Sequence, residues 1–160
     1  MCVVFRDLNK ACPKDDFPLP HIDVIVDSAA SSAMYSFMYG FSGYNPIMMA
    51  VMDKIKTAFI TEWGTYCYKV MPFGLKNAGA TYQRAAATLF HDMMHKEVDV
   101  YVNDMMVKSK MREGHFEALD KFLASLKKYN LRLNPKKCVF GVTSRKLLGH
   151  IVSERRIEVD

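Results

Sequence analysis

The sequence predicts an α+β fold in which an antiparallel sheet packs on two long helices. Two segments repeat apolar residues at helical spacing, and several short runs alternate or are apolar throughout. The two kinds of segment do not follow one another in the regular order that builds a parallel sheet. With 160 residues, 50% of them hydrophobic and 24% charged, the chain has a globular balance that argues against disorder. One domain spanning residues 1–160 is the expectation from length.

Taken in order, the residues from Cys12 to Pro20 carry Pro13, Pro18 and Pro20 and read as an extended loop. Ser36 to Gly40 reads as a short buried strand entering a Gly40-Phe41-Ser42-Gly43 turn. Thr57 to Trp63 and Thr65 to Val70 flank Gly64 with alternating aromatic and polar residues, a β-hairpin that Met71-Pro72-Phe73-Gly74 ends. Asn77 is a good N-cap for the next helix, whose apolar face is Tyr82, Ala85, Ala86, Leu89, Phe90, Met93 and Met94. Val98 to Val102 and Met105 to Lys108 are apolar runs around Asn103-Asp104, a second hairpin. Phe116, Leu119, Phe122, Leu123 and Leu126 define the second helix, ending near Asn130. Leu131 to Leu133, Cys138 to Phe140 and Leu147 to Val152 read as three short strands.

Charge is divided unevenly. Residues 1–104 hold 9 Lys/Arg against 11 Asp/Glu, whereas residues 105–160 hold 13 against 6. A basic half suits a polyanion such as nucleic acid, although spaced lysine pairs also make ordinary solvated faces. The longest uncharged stretch, Ser28 to Met52, is broken by Ser, Gly, Asn and Pro, so no membrane span is expected. Arg6 and Asp7 leave no apolar leader near Met1. Four dispersed cysteines (Cys2, Cys12, Cys67, Cys138) suit a reducing compartment rather than a disulfide scaffold.

Seven blocks occur in a telling order. They are Phe5-Arg6-Asp7-Leu8-Asn9, Phe17-Pro18-Leu19-Pro20, Phe41-Ser42-Gly43-Tyr44, residues 71–78 (MPFGLKNA), Tyr101-Val102-Asn103-Asp104, residues 133–140 (LNPKKCVF) and Leu148-Gly149-His150. As an ordered set they resemble the reverse transcriptase of gypsy-class LTR retrotransposons, most like the plant elements, over nearly the whole chain. The resemblance implies a palm with part of the fingers of a right-hand polymerase, without thumb, RNase H, protease or integrase. It implies an RNA or DNA template with primer and a deoxynucleoside triphosphate as partners, and Mg²⁺ as cofactor. The setting would be the host cytoplasm, a virus-like particle or the nucleus. Apolar surfaces left by missing parts would favour self-association.

The resemblance also implies site residues. Nucleotidyl transfer in the family uses two Mg²⁺ ions on three carboxylates, one at a palm strand end and two in a hairpin turn. Here the strand position is Tyr39 and the first turn position is Asn103, so Asp104 alone remains as catalytic carboxylate and metal ligand. A phenol and an amide bring no negative charge near neutral pH. Val4, Pro46 and Arg156 are further departures from the family pattern. The expectation is a chain that keeps the fold and has lost catalysis. Arg6 would face the triphosphate, Tyr44 would lie under the sugar, and Phe73 with Gly74 would line the nucleotide floor. Lys137, or else Lys136, would stand by the pyrophosphate. Leu148, Gly149 and His150 would grip the primer backbone. Alone, these residues read as a surface ion pair, a packed aromatic, a turn, a solvated loop and a strand.

Two other readings compete. His91 and His95, four apart on the first predicted helix, could hold zinc, but Asp92 stands where a metalloprotease has Glu, and no third ligand is evident. The chain could instead be a non-catalytic nucleic-acid-binding fragment or a translated relic.

Overall fold

A computed structural model of the chain describes residues 3–40, 47–153 and 157–159. Tyr44, Pro46, Arg156, Cys2 and most of the predicted 40–43 turn lie outside them. The element order is α1 (Arg6–Ala11), α2 (Ile22–Ala29), β1 (Met34–Tyr39), α3 (Val51–Lys54) running into a 3₁₀ turn (Ile55–Thr57), β2 (Phe59–Thr61), β3 (Gly64–Tyr66), α4 (Ala78–Leu89), β4 (Val98–Tyr101), β5 (Asp104–Ser109), α5 (His115–Lys128), β6 (Val139–Val142), β7 (Ser144–Leu147), β8 (His150–Ser153) and β9 (Ile157–Val159). Strands β4-β5-β1-β6 form one antiparallel sheet, β2-β3 a separate hairpin and β7-β8-β9 a second small sheet.

The two-residue period of a strand sorts the four-stranded sheet into two faces. Met38, Val98, Val100, Met105 and Val107 point to one side, where they meet Tyr82, Ala86 and Phe90 of the α4 region and Ala118, Phe122 and Leu126 of α5. The Phe90 and Phe122 rings stack at 5.0 Å. Tyr35, Phe37 and Met106 point to the other side, against Ile25, Val26 and Ala29 of α2 and Leu147 and Val152 of the small sheet. The two long helices therefore cover only one face. On the opposite face the same alternation buries Asp99 and Lys108, whose charges meet each other, while Ser28 of α2 bonds both. Pairing with hydrogen bonds offsets the cost of burying those charges.

Local chemistry explains where the structure departs from expectation. Asn77 occupies the N-cap position of α4 but does not cap it. Its amide instead donates to the Pro13 carbonyl at 2.9 Å and accepts from the Asp15 N–H at 3.0 Å, tying the proline-rich loop to the helix. Arg84 completes that tie by forking onto Asp15 at 2.7 and 2.8 Å. Helix α4 stops at Leu89, so His91 and His95 lie beyond it and the helical spacing assumed for zinc does not exist. The run from Leu147 to Val152 is two strands, because Leu148 (φ 49°) and Gly149 (φ 91°) turn the chain through a left-handed pair. Leu133 makes only an isolated bridge to Gly40 rather than a strand. The β2–β3 hairpin has the predicted place with shorter arms, and Phe59 stacks on Tyr66 across it at 6.1 Å.

Candidate functional site

Strand β1 ends and β5 begins side by side, with Tyr39 opposite Asp104 in the ladder. Asp104 is also opposite Tyr101, so Val102 and Asn103 form the hairpin tip and Asp104 is the first strand residue. Val102 takes a left-handed φ of 51°, a conformation that a β-branched residue adopts only under constraint. The constraint is visible. Buried Gln83 of α4 donates to the Val100 carbonyl at 2.8 Å and accepts from the Val102 N–H at 2.9 Å. The Gly40 N–H also donates to the Asn103 carbonyl at 3.1 Å.

Lys137 reaches this edge through its loop. The Asn134 N–H donates to the Tyr39 carbonyl at 2.8 Å, the Lys137 N–H donates to the Asn134 carbonyl at 3.0 Å, and the ammonium lies 4.2 Å from the centre of the Tyr39 ring. Tyr39, Asp104 and Lys137 share a cleft of about 280 Å³ with Asp99, Tyr101, Arg145, Lys146 and Leu148. Burial pushes the Asp104 carboxyl above the ordinary carboxylate range, and the Lys137 charge partly draws it back. The Asn103 side-chain oxygen is buried without a hydrogen-bond partner. At the β1–β5 edge one carboxylate, one neutral amide oxygen and a phenol beneath an ammonium do not fit a pair of Mg²⁺ ions, which need charged oxygen ligands, and the cleft's other carboxylate, Asp99, is paired with Lys108. Among the described residues no three His, Cys, Asp or Glu side chains cluster as a metal would require.

A profile described as reverse transcriptase (RNA-dependent DNA polymerase) matches residues 1–152. The chain belongs to the reverse transcriptase family. It is 36% identical over its whole length to the retrovirus-related Pol polyprotein from transposon opus of Drosophila melanogaster, and 32% identical over 96% of its length to that from transposon gypsy of the same fly. Against the Tf2-3 polyprotein of Schizosaccharomyces pombe the identity is 30% over 97%. The chain spans only 16%, 15% and 12% of those relatives' lengths. In fold it is similar to the foamy viral protease-reverse transcriptase in complex with RNA/DNA hybrid (TM-score 0.87, 18% identity, 98% of this chain and 21% of that one). A related structure with double-stranded DNA gives a TM-score of 0.88, again at 18% identity, covering 98% of this chain and 27% of that one.

Of the residues that the reverse transcriptase motifs single out, Tyr39, Asp104, Lys137 and Leu148 line one cleft, with Asn103 beside them at the hairpin tip. Arg6 is exposed on α1 and does not line that cleft; Asp7, its neighbour, pairs with Lys10 instead. Gly74 sits against the same N-terminal segment, for the Asn9 side-chain amide donates to its carbonyl at 2.7 Å, and Phe73 before it is exposed. A Cβ on Gly74, already at φ 94°, would lie 3.4 Å from the Val3 carbonyl. The motif residues thus fall in two groups, around Gly74 and around Tyr39. Gly149 and His150 stand at the β7–β8 turn, outside the cleft lining. Arg145 and Lys146 line the cleft but belong to no motif; a basic pair next to Leu147 was their only trace in the sequence. No helix among the described residues is long and apolar enough to cross a membrane.

Proposed function

We propose that this chain keeps the nucleic-acid-holding palm and fingers of an RNA-directed DNA polymerase but does not itself join nucleotides. The observation that carries the reading is the donor set at the β1–β5 edge, where Asp104 is the one carboxylate beside Tyr39 and Asn103. In this reading the basic half holds the phosphates of an RNA or DNA primer–template, and Leu148, Gly149 and His150 contact the primer. Arg6, Tyr44, Phe73 and Gly74 face the incoming nucleotide, and Lys137 remains by its phosphates. The foamy viral enzymes of the same fold, held with RNA/DNA hybrid or double-stranded DNA, support nucleic acid as the partner.

Primer extension tests it. With Mg²⁺ or Mn²⁺ the parent chain adds no detectable deoxynucleotides, whereas the double variant Tyr39→Asp/Asn103→Asp extends the primer at least about a hundredfold above the detection limit, a modest share of what divalent ions contribute to phosphoryl transfer. Metal-dependent synthesis by the parent would sink the reading.

A further inference from the structure

We infer that the β2–β3 hairpin tip of one copy of this chain docks into an apolar pocket of a second copy, with Trp63 as anchor and Glu62 against Lys76. The pocket lies between α1, α3 and the start of α4, and it shares no wall residue with the cleft at the β1–β5 edge. Its volume is about 560 Å³, inside the roughly 300–1,000 Å³ of small-ligand sites. Leu8, Ile47, Leu75 and the thioethers of Met48, Met49 and Met71 supply its apolar wall. Sulfur beside an aromatic ring is a favourable contact, and unbranched methionine side chains adapt to the shape that enters.

The polar groups of the wall bond one another. The Asn9 side-chain oxygen accepts from the Lys76 N–H at 2.8 Å, Asn77 donates to the Pro13 carbonyl, and Lys56 pairs with Asp53 at 2.8 Å. These bonds fix α1 and the proline-rich loop against the start of α4, so the pocket is formed before anything enters it and binding orders little. A neutral apolar group is what such a wall receives best. Exposed Lys76 differs: its ammonium donates to the neutral Cys12 carbonyl at 2.9 Å and enters no ion pair among the described residues.

The matching groups stand on the same molecule. Thr57 borders the pocket, and the hairpin that follows has arms of three residues each, which carry its tip about 10 Å away. Trp63 is exposed there and does not line its own pocket. Tryptophan is among the residues that most often anchor an interface from within a pocket. Glu62 beside it is also exposed, with no ion pair among the described residues, so docking brings an unmatched carboxylate to the unmatched Lys76. One tip in one pocket stays below the roughly 1,200 Å² of a stable interface. Because every copy carries both parts, two tips exchanged reciprocally double that area and close the assembly as a pair.

Sedimentation equilibrium of the full chain over roughly 1–200 μM, the range of weak interfaces, tests this. The parent pairs reversibly. Trp63→Ala weakens pairing at least about thirtyfold, the loss expected for an anchor residue. Ala11→Phe fills the pocket from an exposed wall position and weakens it as much; Ala50→Phe, a second exposed wall position, carries the comparison if Ala11→Phe does not fold. The decisive sample mixes Trp63→Ala, which keeps its pocket, with Ala11→Phe, which keeps its tip. Together they form a mixed pair that neither forms alone. Glu62→Lys and Lys76→Glu each weaken pairing, and the two in one chain recover it. Assemblies larger than two that vanish in the same variants show the same contact passing from copy to copy. A parent that stays monomeric, variants that pair as the parent does, a mixture without a complex, or a double charge reversal that recovers nothing overturns the inference. So does an equal loss in Phe116→Ala, an exposed apolar group on α5, because the association would then be indiscriminate.

Discussion

His115 is buried at the start of α5 and joins three strands through single side chains. Its Nε2 lies 2.7 Å from Ser36 Oγ of β1 and its Nδ1 3.0 Å from Ser109 Oγ of β5, while Ser36 Oγ also accepts from the Gly141 N–H of β6 at 3.1 Å. Burial pushes its imidazole below the ordinary histidine range. Above the unfolded value, near pH 6.5, both states are neutral and the shift has no effect. Below it the unfolded chain takes up a proton first, so stability falls until the folded pKa is passed. Urea midpoints measured from pH 8 down to pH 5 should therefore fall more steeply in the parent than in His115→Gln; equal slopes would refute the assignment. Asp104 runs the other way. Its raised pKa makes the protonated form the better fit, and the advantage is lost as pH rises through the folded value. Both residues sit in polar surroundings that a sequence does not display. Tyr39 and Asn103 were legible because they break a pattern of acids, whereas Arg145 interrupts none.

The β4–β5 hairpin depends on α4 at one side chain. Gln83 satisfies a carbonyl and an N–H of the hairpin at once, so Gln83→Leu leaves two backbone groups unmet and costs about 1–3 kcal/mol. Chemical denaturation reads that loss, and an unchanged midpoint would show that Val102 holds its left-handed turn unaided. This hairpin was readable from its two apolar runs, as were α4 and α5 from their helical period. Helix α1 escaped because none of its residues is buried, leaving no apolar face to detect. Helix α2 escaped because Ile22, Val24, Ile25 and Val26 form a β-branched run that favours a strand, and packing against Tyr35 and Phe37 overrides that preference. The β7–β8 turn was hidden by Leu148, a residue that seldom occupies such a position.

Across the molecule, the sheet divides two cores, and the cleft opens on the side of α2 and β7 rather than of the long helices. The basic excess of residues 105–160 falls mostly on the segments that follow α5, including Lys137 and Arg145 at the cleft, and on β5 with its connection to α5. If that half holds a primer–template, affinity in filter binding should fall by at least about tenfold between roughly 50 and 200 mM salt and depend little on base sequence. A flat salt response would remove nucleic acid as the partner.

The β2–β3 hairpin lifts Trp63, the chain's single tryptophan, to a tip where it is 81% exposed, beside Ile60 at 84%. Its indole fluorescence therefore watches this hairpin and is blind to the two cores. Melting of either core should leave the emission nearly silent, while any molecule or second copy that covers the tip should shift it to the blue.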